Sequence, residues 1–558
     1  MTAPDRRDDL TDVLSQAEVT ARTCAVRSLG RRLIWCLSAA LAFAGSGGCA
    51  LNQWLDNGFK VGPNYGKPAV AVASESIDYR HPSIQSVPAD LAMWWTVFQD
   101  PALNDLVQTA AGQNINLRVA GMRILEARYR RQIAAGECFP QLQDVVGSYS
   151  RNKLTANAAN AAPVLRFDNL DIGFNATWEL DFWGRFRRAV ESTDAELDAS
   201  LENYDDVLVL LLAEVASSYV EMRTYQERLN CAVKNVTAQE NSLKIAEDKF
   251  NAGTATKRDV EQARTVLEQT RALVPEFEAG ERLANNRLCV LLGLPAQDLA
   301  ARVGRSSIPQ TPPEVAVGIP ADLVRRRPDV RRAEREVAAQ SARIGIAQSD
   351  LYPHITINGT FGYAAASLGS LFDGNRSAFG GLGPAFRWDV LNYGRLVNHV
   401  RVQDAKFQQV AYAYQEKVLE AGRDEEDGIV KFLKSHKRAE YLQASAQAAE
   451  NTRVITVDQY RQGVVDFTAV FIADSELAQV QDLAAAARGQ IAQSLIGLYR
   501  ALGGGWEMRL RSPGETARGT VGPSPFADDL ERLPGVVETP PTPPASLPQP
   551  TTKPEPRR

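Results

Sequence analysis

Histidine and cysteine are scarce in this chain, which has four His and six Cys in 558 residues. His81, His354, His399 and His436 stand far apart, and Cys24, Cys36, Cys49, Cys138, Cys231 and Cys289 form no CxxC pair. HExxH and His-x-His spacings are missing too, so a transition-metal site has no ligand set and no metal or other cofactor is expected. The chain also lacks GxSxG, Walker and Cys/His arrangements, and an enzyme is not expected. There is no excess of positive charge: Lys and Arg number 62 against 67 Asp and Glu, a net charge of −5. That balance offers no grip on a phosphate backbone and argues against nucleic acid as a partner. Proline is absent between Trp183 and Pro275 and again between Pro384 and Pro513, which permits two very long helices.

What is present begins with an address. Arg27, Arg31 and Arg32 precede an apolar run from Leu33 to Ala44, followed by small residues up to Gly48 and Cys49. As a helix that run rises only about 18 Å, too little for a bilayer core of about 30 Å. Residues 1–48 therefore read as a signal peptide. The Gly-Gly-Cys ending is similar to a bacterial lipobox, which implies that Cys49 is acylated and becomes the mature N-terminus; simple cleavage is the alternative. With Cys24, Cys36 and Cys49 set aside, three thiols remain, an odd number that makes no disulfide framework.

An internal repeat sets the architecture. Trp178, Gly184, Arg185, Val190, Asp194, Ala195 and Tyr204 recur 210 positions later as Trp388, Gly394, Arg395, Val400, Asp404, Ala405 and Tyr414. Upstream the offset is 213, with Ala120, Ala134 and Pro140 matching Ala333, Ala347 and Pro353. Residues 49–100 read as an extended segment, 101–300 as the first repeat, 315–506 as the second and 507–558 as a disordered Pro-rich tail. Each repeat runs helix, two strands, long helix, turn, helix.

The long helices are expected over 184–251 and 394–461, each about 100 Å long. Apolar residues from Tyr204 to Phe250 step by about 3.5, the period of a left-handed coiled coil. Helices over 103–137 and 255–293 would line the first rod, and 321–349 and 465–502 the second.

Four strands alternate. Leu170, Ile172, Phe174, Ala176, Trp178, Leu180 and Phe182 interleave with Asp171, Gly173, Asn175, Thr177, Glu179 and Asp181. Ile355 to Tyr363 and Leu382 to Val390 repeat the pattern, while 141–150 is less regular. A soluble sheet satisfies such a pattern. The strand length and the aromatics Trp178, Phe182, Trp183 and Trp388 at the strand ends favour a membrane barrel with an interfacial belt. Four strands cannot close one, and an open edge in lipid leaves backbone groups unpaired, so several copies must share the sheet.

At this point the chain resembles the outer membrane efflux protein family, the TolC-like exit ducts, and its NodT-type lipoprotein branch. The resemblance is carried by Val61–Tyr65, Trp94-Trp95 with Phe98 and Asp100-Pro101, Trp178–Arg185, Leu291–Pro295, Arg327–Asp329 with Ala333-Glu334, Gly383–Trp388 and Leu498–Trp506. It implies a mainly α fold with a membrane β-barrel: a homotrimer with a 12-stranded barrel continued by a 12-helix α-barrel of coiled coils. It also implies a lipid-anchored protein of the bacterial outer membrane that extends into the periplasm. A periplasmic adaptor and an inner-membrane RND-type pump would be its partners, and small toxic compounds its cargo. A type I secretion duct and a non-conducting coiled-coil envelope scaffold are the alternative readings.

The family closes its periplasmic tip with acidic side chains and tethers. Asp259 matches one tether position, but Val465 stands where the opposing arginine is expected, and Ala469 and Ile472 occupy acidic positions. Asp466 and Asp474 lie close enough to substitute, or Phe471 and Ile472 close the tip by dewetting, or all are ordinary coiled-coil positions. Gly253, Thr254, Gly463 and Val464 sit in the two helix turns and are expected to contact the adaptor. The run Asp424 to Asp427 reads as a solvated helix face rather than a divalent-ion site.

Overall fold

Asp100 caps a helix that starts at Pro101, two residues before the expected 103. Its carboxylate accepts from Ala102 N at 2.9 Å and Leu103 N at 3.3 Å, and Pro101 takes the first helical position, where no N–H is needed. Helix α1 (Pro101–Gln113) stops at Asn114, and α2 (Ile115–Gly136) follows. The single helix expected over 103–137 is therefore broken in two. Asn114 donates its side-chain amide to Leu291 O at 2.8 Å and caps Leu117 N at 3.0 Å, bonds that reward leaving the helix.

The structure, a computed structural model, describes residues 54–73, 76–85, 91–155, 166–316 and 325–510. The leader, Cys49 and the chain beyond 510 lie outside these residues, as does 321–324, the start of one expected helix. After α2 come β1 (Leu142–Lys153), β2 (Arg166–Leu180), α3 (Arg185–Asn251) and α4 (Lys257–Leu291). The second repeat follows the same order: α5 (Pro328–Ser349), β3 (His354–Ala365), β4 (Ala378–Arg387), α6 (Arg395–Arg461) and α7 (Phe467–Ala501). Both long helices have 67 residues, within one of expectation. The fourth strand starts earlier than its alternation suggested and ends at Arg387, leaving Trp388 and Val390 beyond it.

Two units divide the chain. Among the described residues, the first contains 54–65, 134–155, 166–191 and 341–404. Its four strands form one antiparallel sheet in the order β1-β2-β3-β4, with Val145 opposite Phe174, Phe174 opposite Phe361 and Phe361 opposite Gly380. β1 and β4 are edges of this sheet. Residues 54–64 pack beneath it through close approaches that exclude larger side chains: a Cβ on Gly62, at φ 90°, would stand 2.4 Å from Gly345 Cα. Arg188 gathers this segment, donating to Val61 O, Gly62 O and Asn64 Oδ1, and Arg187 donates to Gly58 O and Phe59 O.

Among the described residues, the second unit contains 66–73, 76–85, 91–133, 192–316, 325–340 and 405–510. Its core joins Trp94, Trp95, Phe98 and Leu103 to Tyr204, Leu208, Leu212, Tyr219, Leu495 and Tyr499 from the long and short helices. The expected 3.5-residue stripe is buried from Tyr204 to Met222, whereas Phe250 at its far end is exposed. Helices approach closely where side chains are small. A Cβ on Gly489 would lie 2.1 Å from Thr224 Oγ1, and one on Gly280 would meet the Tyr225 ring at 2.4 Å.

Two expectations need correction here. Residues 49–100 are not simply extended, since Trp94–Phe98 forms a 3-10 helix whose aromatic rings are core. The tail does not begin at 507: Trp506–Leu510 is a 3-10 helix, and Arg509 donates to both oxygens of the buried Asp205 at 2.8 and 3.1 Å. Among the described residues no helix is long and apolar enough to cross a membrane.

Candidate functional site

The sheet sorts its side chains by face. Paired across it, Ile172, Phe174, Trp178, Ile355, Ile357, Phe361, Tyr363, Leu382 and Phe386 share one side. Leu382 is 82% and Phe386 75% exposed, so this apolar face is uncovered within the chain. The other face is largely polar and internally bonded, with Ser148 donating to Asp171 at 2.7 Å and Thr360 to Asn175 at 3.0 Å. Alternation alone produced this division, because side chains on a strand point to opposite sides in turn.

The four aromatics singled out from the sequence all lie at the end of the sheet where β2 and β4 stop. Trp178 Nε1 donates to Cys138 O at 3.2 Å and Trp388 Nε1 to Leu351 O at 3.0 Å. Trp183 Nε1 donates to Pro353 O at 2.9 Å, and its ring stacks on Tyr352 at 4.5 Å. Phe182 is exposed and meets Trp183 edge-on. Sequence reasoning missed Trp54 and Phe59. Trp54 lies 5.1 Å from Phe182, 5.6 Å from Trp183 and 4.8 Å from Phe59, and only the folding back of residues 54–64 brings them there.

In the second unit, the turns joining α3 to α4 and α6 to α7 share one geometry. Gly253 N donates to Phe250 O and Thr254 N to Lys249 O; Gly463 N donates to Tyr460 O and Val464 N to Gln459 O. Gly253 has φ 70° and Gly463 φ 79°, the left-handed region in which glycine ends a helix without a Cβ clash. A small core of Ala246, Val260, Ala263, Tyr460, Phe467 and Val470 packs the two hairpins together, with Phe471 half-buried against it. Lys249 reinforces it, donating to Tyr460 O and lying 4.3 Å over the Tyr460 ring.

The candidate gate residues fall into two groups. Asp259 is buried as the third residue of a capping box: its carboxylate accepts from Thr256 N at 2.9 Å, and Thr256 Oγ1 accepts from Asp259 N. Asp474 is 3% exposed and accepts from Arg453 Nε at 2.6 Å, while the same guanidinium donates to Ala238 O at 3.2 Å. Asp466, the N-cap of α7, is exposed and makes no capping bond through its side chain. Ile472 and Val464 are likewise exposed.

Further up α6, the acidic run is not a solvated face. Glu425 is 3% exposed, Asp424 pairs with Arg327 and Arg423, and Glu426 accepts from Ile77 N at 3.0 Å. Burial, with the Glu426 charge adding to it, pushes the Glu425 carboxyl up to about 7. No group of three or more metal-ligating side chains is present among the described residues.

The sheet thus carries one apolar and one polar face. The sequence matches the family model described as Outer membrane efflux protein over residues 106–294 and 319–504. It is 28% identical over 452 residues to Nodulation protein T of Rhizobium leguminosarum bv. trifolii, covering 81% of this chain and 95% of that one. It is also 28% identical over 428 residues to the Pyoverdine export outer membrane protein OpmQ of Pseudomonas aeruginosa, covering 76% of this chain and 89% of that one. The solved outer-membrane channel OprN matches with a TM-score of 0.75 and 28% identity, covering 80% of this chain and 99% of that one. A two-fold internal repeat, a sheet with one apolar and one polar face, and a match through both repeats agree: the chain belongs to the outer membrane efflux protein family.

Proposed function

We propose that this protein is the outer-membrane exit duct of a tripartite efflux system, passing small toxic compounds outward from a periplasmic adaptor and an inner-membrane RND-type pump. One observation carries the reading: a four-stranded sheet with an uncovered apolar face, a bonded polar face and two unpaired edges. In lipid each unpaired edge group costs several kcal/mol, so the sheet must close with other copies. Three copies give twelve strands and a wet lumen, which suits the polar face better than the side-chain-filled interior of eight strands. The α-helices of three chains form the matching 12-helix tunnel.

Trp54, Phe59, Phe182, Trp183, Trp178 and Trp388 form the interfacial belt on one rim. Trp54 lies five residues after Cys49 in sequence, which supports an acyl chain on Cys49 inserted at the same level. The turns at Gly253-Thr254 and Gly463-Val464 contact the adaptor. Asp466, Phe471 and Ile472 narrow the tip, and Asp259 and Asp474 hold the hairpins in shape from inside.

Purified protein in a planar bilayer tests the duct. Discrete current steps are expected, larger when Ile472→Ser or Asp466→Asn loosens the tip. Insertion that never conducts, in the parent or in either variant, would leave the envelope scaffold as the better reading.

A further inference from the structure

The apolar face of the sheet ends differently at its two rims. Between the rungs of Leu180 and Leu170, no charged side chain stands on that face in any of the four strands. Ten residue steps make about 34 Å of strand, or about 25 Å of height at the tilt of a membrane barrel, which is the height of an apolar band. At the rim where β2 and β4 run on toward the long helices, the next residues of the same alternation are Phe182 and Trp388, neither of them charged. The hairpin rim is basic instead. The rung beyond Leu170 sets Arg151 opposite Asp168, and their charges pair at 3.5 Å. The last rung sets Lys153 directly opposite Arg166. Both are exposed, and neither side chain has an ion pair or hydrogen bond among the described residues. Like charges directly opposite each other destabilise a strand pair, so this rung costs stability as long as no anion sits on it. Residues 156–165, which join the two strands in sequence, contain no Asp or Glu. The one acid in residues 366–377, Asp373, already faces Arg376 at 3.9 Å. Neither connection has an acid to spare for the rung.

We propose that Lys153 and Arg166 form a phosphate-binding pair for lipopolysaccharide, the anionic glycolipid of the outer leaflet, whose lipid A phosphates supply the missing negative charge. The site rests on the reading of the sheet as a shared barrel wall and adds to it the lipid chemistry that the outer rim selects. With the helices running into the periplasm, the hairpins face outward, and the basic rung lies at the level of the outer headgroups. Position favours a lipid over a free anion. The two cations follow directly on the apolar band and on its own side, so that acyl chains lie along Tyr149, Leu170 and Tyr363 while a headgroup phosphate meets the rung. Arg166 presents a planar fork that suits two phosphate oxygens, and Lys153 adds a mobile point charge. On the polar side the neighbouring rung is Asn152 with Phe167, so no matching pair of cations faces the lumen there. The opposite rim, with its indole rings and no basic rung, suits an interface without concentrated phosphate.

The test uses the full chain in detergent, stripped of residual glycolipid, and reads the rise in its unfolding temperature as probe is added. Three probes are compared: lipopolysaccharide, the same material dephosphorylated, and inorganic phosphate at equal phosphorus. The parent is expected to be stabilised by the first, far less by the second and not by the third. Lys153→Gln with Arg166→Gln should need about thirtyfold more lipopolysaccharide for the same rise. Arg376→Gln, on the same rim but outside the rung, should respond as the parent does. Lys153→Glu separates binding from folding, because it sets opposite charges across the rung: without lipid its unfolding temperature should rise, while its response to lipopolysaccharide falls. A response in the double variant or in Lys153→Glu equal to the parent's would overturn the site. An equal response to dephosphorylated material would leave acyl contact alone and overturn the phosphate contact. A response to inorganic phosphate matching that to lipopolysaccharide would make the rung a free-anion site and overturn the lipid assignment. Current steps in a planar bilayer judge the duct separately. A parent that conducts while its lipopolysaccharide response ignores the rung loses this site and keeps the duct, whereas a rung-controlled response in a protein that never conducts keeps the site and loses the duct.

Discussion

At Glu425 burial and charge conflict openly. It sits 3% exposed on α6, and its Oε1 has no hydrogen-bond partner. Desolvation favours the neutral acid, the Glu426 charge adds to this, and Arg327 opposes it. With a folded value of about 7 against an ordinary 4.5, the neutral carboxyl contributes stability that is fully present below pH 4.5 and lost as pH rises through about 7. Glu425→Gln keeps the shape and cannot ionise. Thermal unfolding in detergent should give variant and parent similar stability near pH 4.5, with the variant ahead by up to about 3 kcal/mol at pH 8.5. Parallel pH profiles would contradict this. Four adjacent acids on a helix look solvated in sequence, because which of them points at a neighbour depends on packing that no local pattern encodes.

Among the elements, α3, α6 and α7 are bridged by one guanidinium in addition to the small apolar core near their turns. Arg453 on α6 bonds Asp474 on α7 and Ala238 O on α3. Breaking a buried ion pair from one side leaves a charge without compensation and costs about 3–5 kcal/mol in general. Arg453→Met should therefore lower the melting temperature clearly and speed protease cleavage at the Gly463 turn, and adding Asp474→Leu should restore most of the loss. A double variant as unstable as the single would show that the ion pair is not what Arg453 contributes. The helices themselves were readable from missing prolines and the 3.5-residue period. The break at Asn114 was not, because its cause is a bond to Leu291 O, 177 residues away.

At the scale of the whole molecule, the four-stranded sheet ends in two open edges and carries an uncovered apolar face. Light scattering of the detergent-solubilised protein, corrected for bound detergent, should return the mass of three mature chains. A single-chain mass would refute the shared barrel, and a two-chain mass would point to eight strands.

By itself the sequence determined the repeat, the long helices, the two-faced strands and the family. The first three follow from periodicity and residue type, which act locally along a chain, and the family from the motifs that the chain shares with it. Only the tertiary structure decided that Asp259 and Asp474 are buried and bonded while Asp466 and Ile472 are exposed, and that Trp54 joins Trp183. Those outcomes depend on which distant groups meet, and the cost of an unpaired buried charge is set by that meeting.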